Sequence, residues 1–130
     1  MQLEPIRPDS ILQQPPAWSA GDVAFWMIGK QGPNSLWLAR FGAGVIGQRS
    51  PWERHPDGEE LLHVLEGAVE VTLLLDSGPV SMQLVAGSIF VVPTGVWHSH
   101  TALAATIEFG ATPGAIEHST ADDPRVKAPA

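Results

Sequence analysis

The chain has no cysteine, which excludes disulfides, thiolate metal sites and thiol nucleophiles together. It is also short of charge. Asp, Glu, Lys and Arg make up 16% of its 130 residues, against roughly 25% in an average soluble protein. Basic residues are scarcest, seven against fourteen acidic ones for a net charge of −7. No Lys/Arg stripe is present, and a polyanion needs one to release its counterions. Nucleic acid is therefore not an expected partner, and neither is an anionic membrane surface. No apolar run approaches the roughly 18 residues of a membrane span. The start, Met1-Gln2-Leu3-Glu4-Pro5, lacks the basic and apolar regions of a secretory signal, so the expected compartment is the cytoplasm. The glycine-flanked serine of a hydrolase elbow and the glycine-rich Lys-Ser/Thr phosphate loop are both missing, which removes those two chemistries.

What is present is turn material and β character. Glycine and proline number 13 and 12, below the level at which disorder becomes the default. Four of the prolines fall in residues 1–20 and forbid a long helix there, so residues 1–20 are read as an extended arm. Apolar runs with β character follow at Val23–Ile28 and Leu36–Phe41, parted by Gly32-Pro33-Asn34. Further strands are expected at Leu61–Leu65, Val69–Leu75, Val80–Val85, Ser88–Val92 and within Trp97–Phe109, separated by Glu66-Gly67, Asp76-Ser77-Gly78-Pro79 and Pro93-Thr94-Gly95. No stretch of ten residues carries a 3.6-residue period with caps. Short strands at close spacing predict an all-β sandwich or barrel. The division is an arm at 1–20, a barrel at 21–112 and a polar tail at 113–130.

Chemistry concentrates around three histidines. Glu53 and His55 share parity and face one side of a strand. Pro56-Asp57-Gly58 turns the chain, after which Glu60 can face back toward them. His98 and His100 share parity in a later strand and can both point inward. Combining His55, Glu60 and His98 gives two imidazoles and a carboxylate, a set that suits non-haem Fe(II) with open coordination positions. Manganese, zinc, nickel or cobalt could also occupy it, and spacing does not choose among them.

These two stretches resemble the two motifs of the cupin superfamily, G-x5-H-x-H-x(3,4)-E-x6-G and G-x5-P-x-G-x2-H-x3-N. Gly47, His55, Glu60 and Gly67 match the first; Gly87, Pro93, Gly95 and His98 match the second. The resemblance covers roughly residues 35–110. It implies a double-stranded β-helix, or jelly-roll barrel, with one divalent transition metal inside, but little about substrate. Two positions depart from the pattern: Glu53 stands at the first ligand histidine and Ala102 at the closing Asn. Glu53 is then a fourth ligand, a general base beside the metal, or a surface residue paired with Arg54 or Arg49. A second bound carboxylate would lower the centre's residual charge and its Lewis acidity.

Trp52 and Trp97 flank the candidate ligands and are expected, with His100, to wall a substrate pocket, although by parity the two tryptophans fit outward packing equally well. Trp37 is expected in the core, Trp18 and Trp26 over an edge or a dimer seam, His63 outside the barrel, and His118 in the tail without a role. The chain is expected to be a homodimer with the arm across an edge strand. The function expected is binding of one divalent metal in the barrel, with a metal-dependent enzyme of dioxygenase or isomerase type on a small organic substrate as the first reading and catalysis itself left open. The alternative is a non-enzymatic small-molecule binder or sensor.

Overall fold

A computed structural model describes residues 3–126. Eleven strands follow in order: β1 (Trp18–Ala20), β2 (Val23–Gln31), β3 (Asn34–Phe41), β4 (Trp52–Arg54), β5 (Glu60–Glu66), β6 (Ala68–Leu75), β7 (Gly78–Val85), β8 (Ile89–Val92), β9 (His98–Ala102), β10 (Thr106–Pro113) and β11 (Glu117–Ser119). They form two sheets, β1-β2-β3-β10-β5-β8 and β11-β4-β9-β6-β7, called here the first and second sheet. Every strand pairing in them is antiparallel. This is the all-β, double-stranded β-helix architecture that the sequence predicts.

Alternation decides which side chains enter the space between the sheets. Leu62 and Val64 from β5 meet Val69, Val71 and Leu73 from β6, with Leu84 and Val92, in a dry core at one end. Inward positions of β2, β3, β9 and β10 line a cavity at the other end. Two glycines allow the close packing between these regions. Gly67 turns β5 into β6 at φ 84°, and a Cβ there would strike the Ala105 carbonyl. Gly110, in the middle of β10, lies under the Trp37 ring, which a Cβ would overlap.

Both ends of the described chain strap the outer faces. The arm is not wholly extended, because Pro8–Ile11 forms one helical turn (α1) with proline at its start, where a missing N–H costs nothing. Ile11 and Leu12 then cover Ala24, Trp26 and Leu38 on the outside of the first sheet, and Trp26 Nε1 donates to the Gln14 carbonyl at 2.8 Å. Trp18–Ala20 joins the sheet edge by pairing with β2. The tail is ordered likewise, since β11 pairs with β4. Beyond it, Trp52 Nε1 donates to the Asp122 carbonyl at 3.2 Å and Arg125 donates to the Leu75 carbonyl at 2.7 Å. The parts of the arm and tail at residues 1–2 and 127–130 lie outside the described residues. Among the described residues no helix is long and apolar enough to cross a membrane.

Candidate metal centre

Register brings the candidate residues together. Glu53 of β4 sits directly opposite His98 of β9, so both side chains leave the sheet on the same face. His55 follows β4, and the turn after it carries the chain from the second sheet to the first, where Glu60 opens β5. The His55 carbonyl is held by the Gly95 amide at 2.9 Å, which ties the first motif to the second.

The result is a compact group. One donor atom from each of Glu53, His55, Glu60 and His98 lies within 4.8 Å of all the others. Nε2 of His55 is 3.0 Å from Oε2 of Glu60, and Nε2 of His98 is 3.2 Å from its Oε1. Oε1 of Glu53 lies 3.4 Å from Nε2 of His98 and 3.9 Å from Nε2 of His55. His55, Glu60 and His98 are buried, while the Glu53 side chain stays 25% exposed at the cavity. Two further contacts fix the group. His98 Nδ1–H donates to the Val96 carbonyl at 3.0 Å, which turns Nε2 inward. Thr112 donates its hydroxyl to Glu60 Oε2 at 2.5 Å and accepts from Trp37 Nε1 at 2.7 Å.

The electrostatics follow from crowding. Burial opposes charge on Glu60, but His55 and His98 outweigh it and hold the carboxyl far below the usual carboxylate range. Glu53 is lowered for the same reason, with burial and then Glu60 working against His98. On His98 burial opposes the proton, yet Glu53 and Glu60 prevail and raise it to about 10. A cation is thus wanted at this point. The donor set fits a divalent metal ion: two imidazoles and two carboxylates converge, and among the described residues Nδ1 of buried His55 has no polar partner while its Nε2, though 3.0 Å from Glu60, makes no well-directed hydrogen bond.

The cavity above the group holds about 680 Å³ and is mostly apolar. Phe25, Trp37 and Phe41 make an aromatic wall on the first sheet, with Phe25 5.8 Å from Trp37 and 6.4 Å from Phe41, both edge-on. His100 lines it as expected. Trp52 and Trp97 do not, which corrects the expected pocket. Each neighbours an inward residue, Glu53 or His98, and alternation therefore sends it outward, where both pack with Leu74. Arg49 stacks on Trp52 at 4.6 Å and Arg54 on Trp97 at 4.7 Å; neither arginine pairs with Glu53.

Four residues were missed or misjudged from the sequence. Trp37 borders the cavity as well as the core, and Trp18 lines the mouth. His118 also borders the cavity, 3.5 Å from Glu53 Oε2. That placement depends on β11 pairing with β4, which no local pattern announces. Glu108 lines the cavity from β10 and is 1% exposed. A lone acid inside the apolar run Thr106–Phe109 was the available signal for it. His63 lies on the outer face of β5, with Leu61 and Leu65, as its parity predicts.

Comparison with known proteins agrees with this geometry. A family model described as "Cupin domain" matches residues 45–107. No curated protein matches the chain. Among solved structures, a cupin-2 domain protein from Shewanella frigidimarina superposes with a TM-score of 0.61 at 22% identity, covering 82% of this chain and 90% of its own. KdgF from Halomonas sp. superposes at 0.63 with 17% identity, covering 84% and 94%. Oxalate decarboxylase of Bacillus subtilis, whose centres are described as Mn(II), superposes at 0.64 with 17% identity, but only 30% of its chain is covered. At these identities the likeness is one of fold.

Proposed function

Because this chain is a cupin-superfamily protein, we propose that it is a metal-dependent enzyme, of dioxygenase or isomerase type, acting on a small organic molecule in the cavity. One divalent transition metal would be held by His55, Glu60, His98 and, as fourth ligand, Glu53. The observation that carries this reading is the convergence of those four residues, two of which border the cavity, with no well-directed hydrogen bond to either nitrogen of His55 among the described residues. Two carboxylate ligands favour a harder ion, Mn(II) or Fe(II), over zinc or nickel. The Mn(II) centres named for the Bacillus subtilis neighbour support that choice.

When bound, the ion would supply Lewis acidity toward a substrate oxygen. The protein's own residues do the rest. Val96 orients His98, and Thr112 orients Glu60, so neither ligand has to reorganise. The apolar wall excludes water and receives the body of the substrate. Glu53, the most open of the four, faces both the cluster and the cavity.

Elemental analysis of protein purified without added ions tests the reading, followed by reconstitution with Mn(II) or Fe(II). A stoichiometric ion is expected, lost in Glu60→Gln and His98→Ala and weakened in Glu53→Gln. Protein that takes up no stoichiometric metal even on reconstitution overturns it. Retention of full metal by Glu53→Gln with turnover lost would make Glu53 the base instead of a ligand. The predominance of apolar lining favours a second reading, a non-catalytic binder. Oxygen uptake and product analysis across candidate enediols and keto acids separate the two, because a binder shows thermal shifts without turnover.

A further inference from the structure

Glu108 is not part of the metal group and has no role in the reading above. It projects from β10 into the cavity with 1% exposure, and neither carboxylate oxygen has a hydrogen-bond partner among the described residues. Its strand neighbours are Ala39 and Val64, which offer it nothing. Nε2 of His100 lies 3.4 Å from its Oε1, within ion-pair distance, and is also buried and without a hydrogen bond among the described residues. A buried carboxylate in this condition is strongly unfavourable unless something in the cavity completes it.

The surroundings restrict what that something is. Beside Glu108, on the same face of the first sheet, lies the aromatic wall of Phe25, Trp37 and Phe41. The other acids bordering the cavity, Glu53 and Glu60, add negative charge. Arg49 also borders it, but its guanidinium is stacked on Trp52 on the outer face and does not offset that charge. We propose that Glu108, with His100 beside it, is a recognition subsite for a hydrogen-bond-donating head group, hydroxyl or ammonium, on a ring-bearing apolar ligand, and that it rejects carboxylate ligands of the same size.

The subsite receives the donor head on the two oxygens of Glu108 while the ring lies against the aromatic wall. A carboxylate head meets like charge and an acceptor facing an acceptor. An ammonium additionally gains from the aromatic faces. The inference rests on the reading of this cavity as the ligand site, and it holds whether or not the metal group is loaded.

Ligand-observed NMR titration with 2-phenylethylamine, 2-phenylethanol and phenylacetate tests it, on wild type and Glu108→Gln, with metal content measured in the same samples. The amine or the alcohol is expected to bind wild type, and phenylacetate to bind at least roughly tenfold more weakly, the worth of one charge-assisted hydrogen bond. Preference for the amine identifies a cationic head, and preference for the alcohol a neutral one; both support the subsite. In Glu108→Gln the amine should weaken by roughly tenfold or more, and phenylacetate should gain, because the new amide N–H donates to it. A gain of binding cannot come from misfolding, and if the variant does not fold the wild-type ranking decides alone. Phenylacetate binding to wild type as tightly as the other two overturns the proposal, as does a Glu108→Gln variant with all three affinities unchanged. Full metal content without donor preference sinks this subsite and leaves the metal centre standing. Donor preference in protein that retains no metal does the reverse.

Discussion

Thr112 bridges Trp37 and Glu60 with one hydroxyl, accepting from the indole and donating to the carboxylate. Thr112→Val keeps the shape and leaves both neighbours short of a partner in a buried setting. Denaturant unfolding should show a loss of about 1–3 kcal/mol. The pH dependence of the metal-stripped protein is also set by single residues. His98 is raised from 6.5 to about 10, so its proton stabilises the fold fully below pH 6.5 and that stabilisation is lost as pH rises to about 10. Glu53 and Glu60 are lowered, so their contribution is present above their ordinary value and lost on acidification. Stability of the stripped protein, followed by denaturant midpoint, should therefore decline from pH 7 to pH 10, and His98→Gln should flatten that decline. At this scale the sequence was legible where motif spacing and strand parity agree, as at His55, Glu60 and His98. It was silent on Thr112 and Glu108, because their roles depend on which residues of β3, β5 and β9 stand opposite β10.

Register is the controlling quantity among the strands. The pairing of Glu53 with His98 places both in the cluster and turns Trp52 and Trp97 to the outside. A slip of one residue in β4 would exchange Glu53 for a tryptophan or an arginine and empty the corner. The same alternation was readable in the sequence and left outward packing open for those two tryptophans; the structure takes that alternative over the pocket that closeness to the ligands suggested. The tail was not readable, because a three-residue strand owes its existence to the edge it meets. Its ion pair, Arg54 to Glu117 at 2.9 Å, is half exposed and contributes less than about 1 kcal/mol. Covering Trp52 contributes more. Deleting residues 117–126 should cost roughly 1.5–3 kcal/mol, the value of one large apolar side chain kept from water. Thermal unfolding measures it, and an unchanged midpoint would show that the strap contributes nothing.

At the scale of the molecule, fold and site stabilise each other. The interior is divided between a dry core over β5, β6, β7 and β8 and an acid-floored cavity over β2, β3, β9 and β10. Three buried or half-buried carboxylates share the cavity in a chain already at net charge −7. A divalent ion held by the four-residue group would offset that repulsion. With free ion at a hundred times its dissociation constant the added stability is about 2.7 kcal/mol. For a domain of this size that corresponds to a rise in Tm on the order of 10 °C, reversed by a chelator. Scanning calorimetry of loaded and stripped protein checks it. An all-β sandwich or barrel was evident from the absence of long helical periods and the density of turns, and the resemblance of the two motifs implied the barrel. The strapping of both outer faces was not, since arm and tail carry little pattern and take their order from the surfaces they cover.

The bridge from Glu60 through Thr112 to Trp37 has one more consequence. The indole N–H of Trp37 lies two hydrogen bonds from the carboxylate at the heart of the site, whereas Trp26 and Trp52 donate to backbone carbonyls on the outer surfaces. In a nitrogen-15 spectrum, loading of the centre should therefore shift the Trp37 indole resonance and leave those of Trp26 and Trp52 in place. Trp37 would then serve as a native signal lamp for occupancy, wired to the floor of the chamber and insulated from the casing.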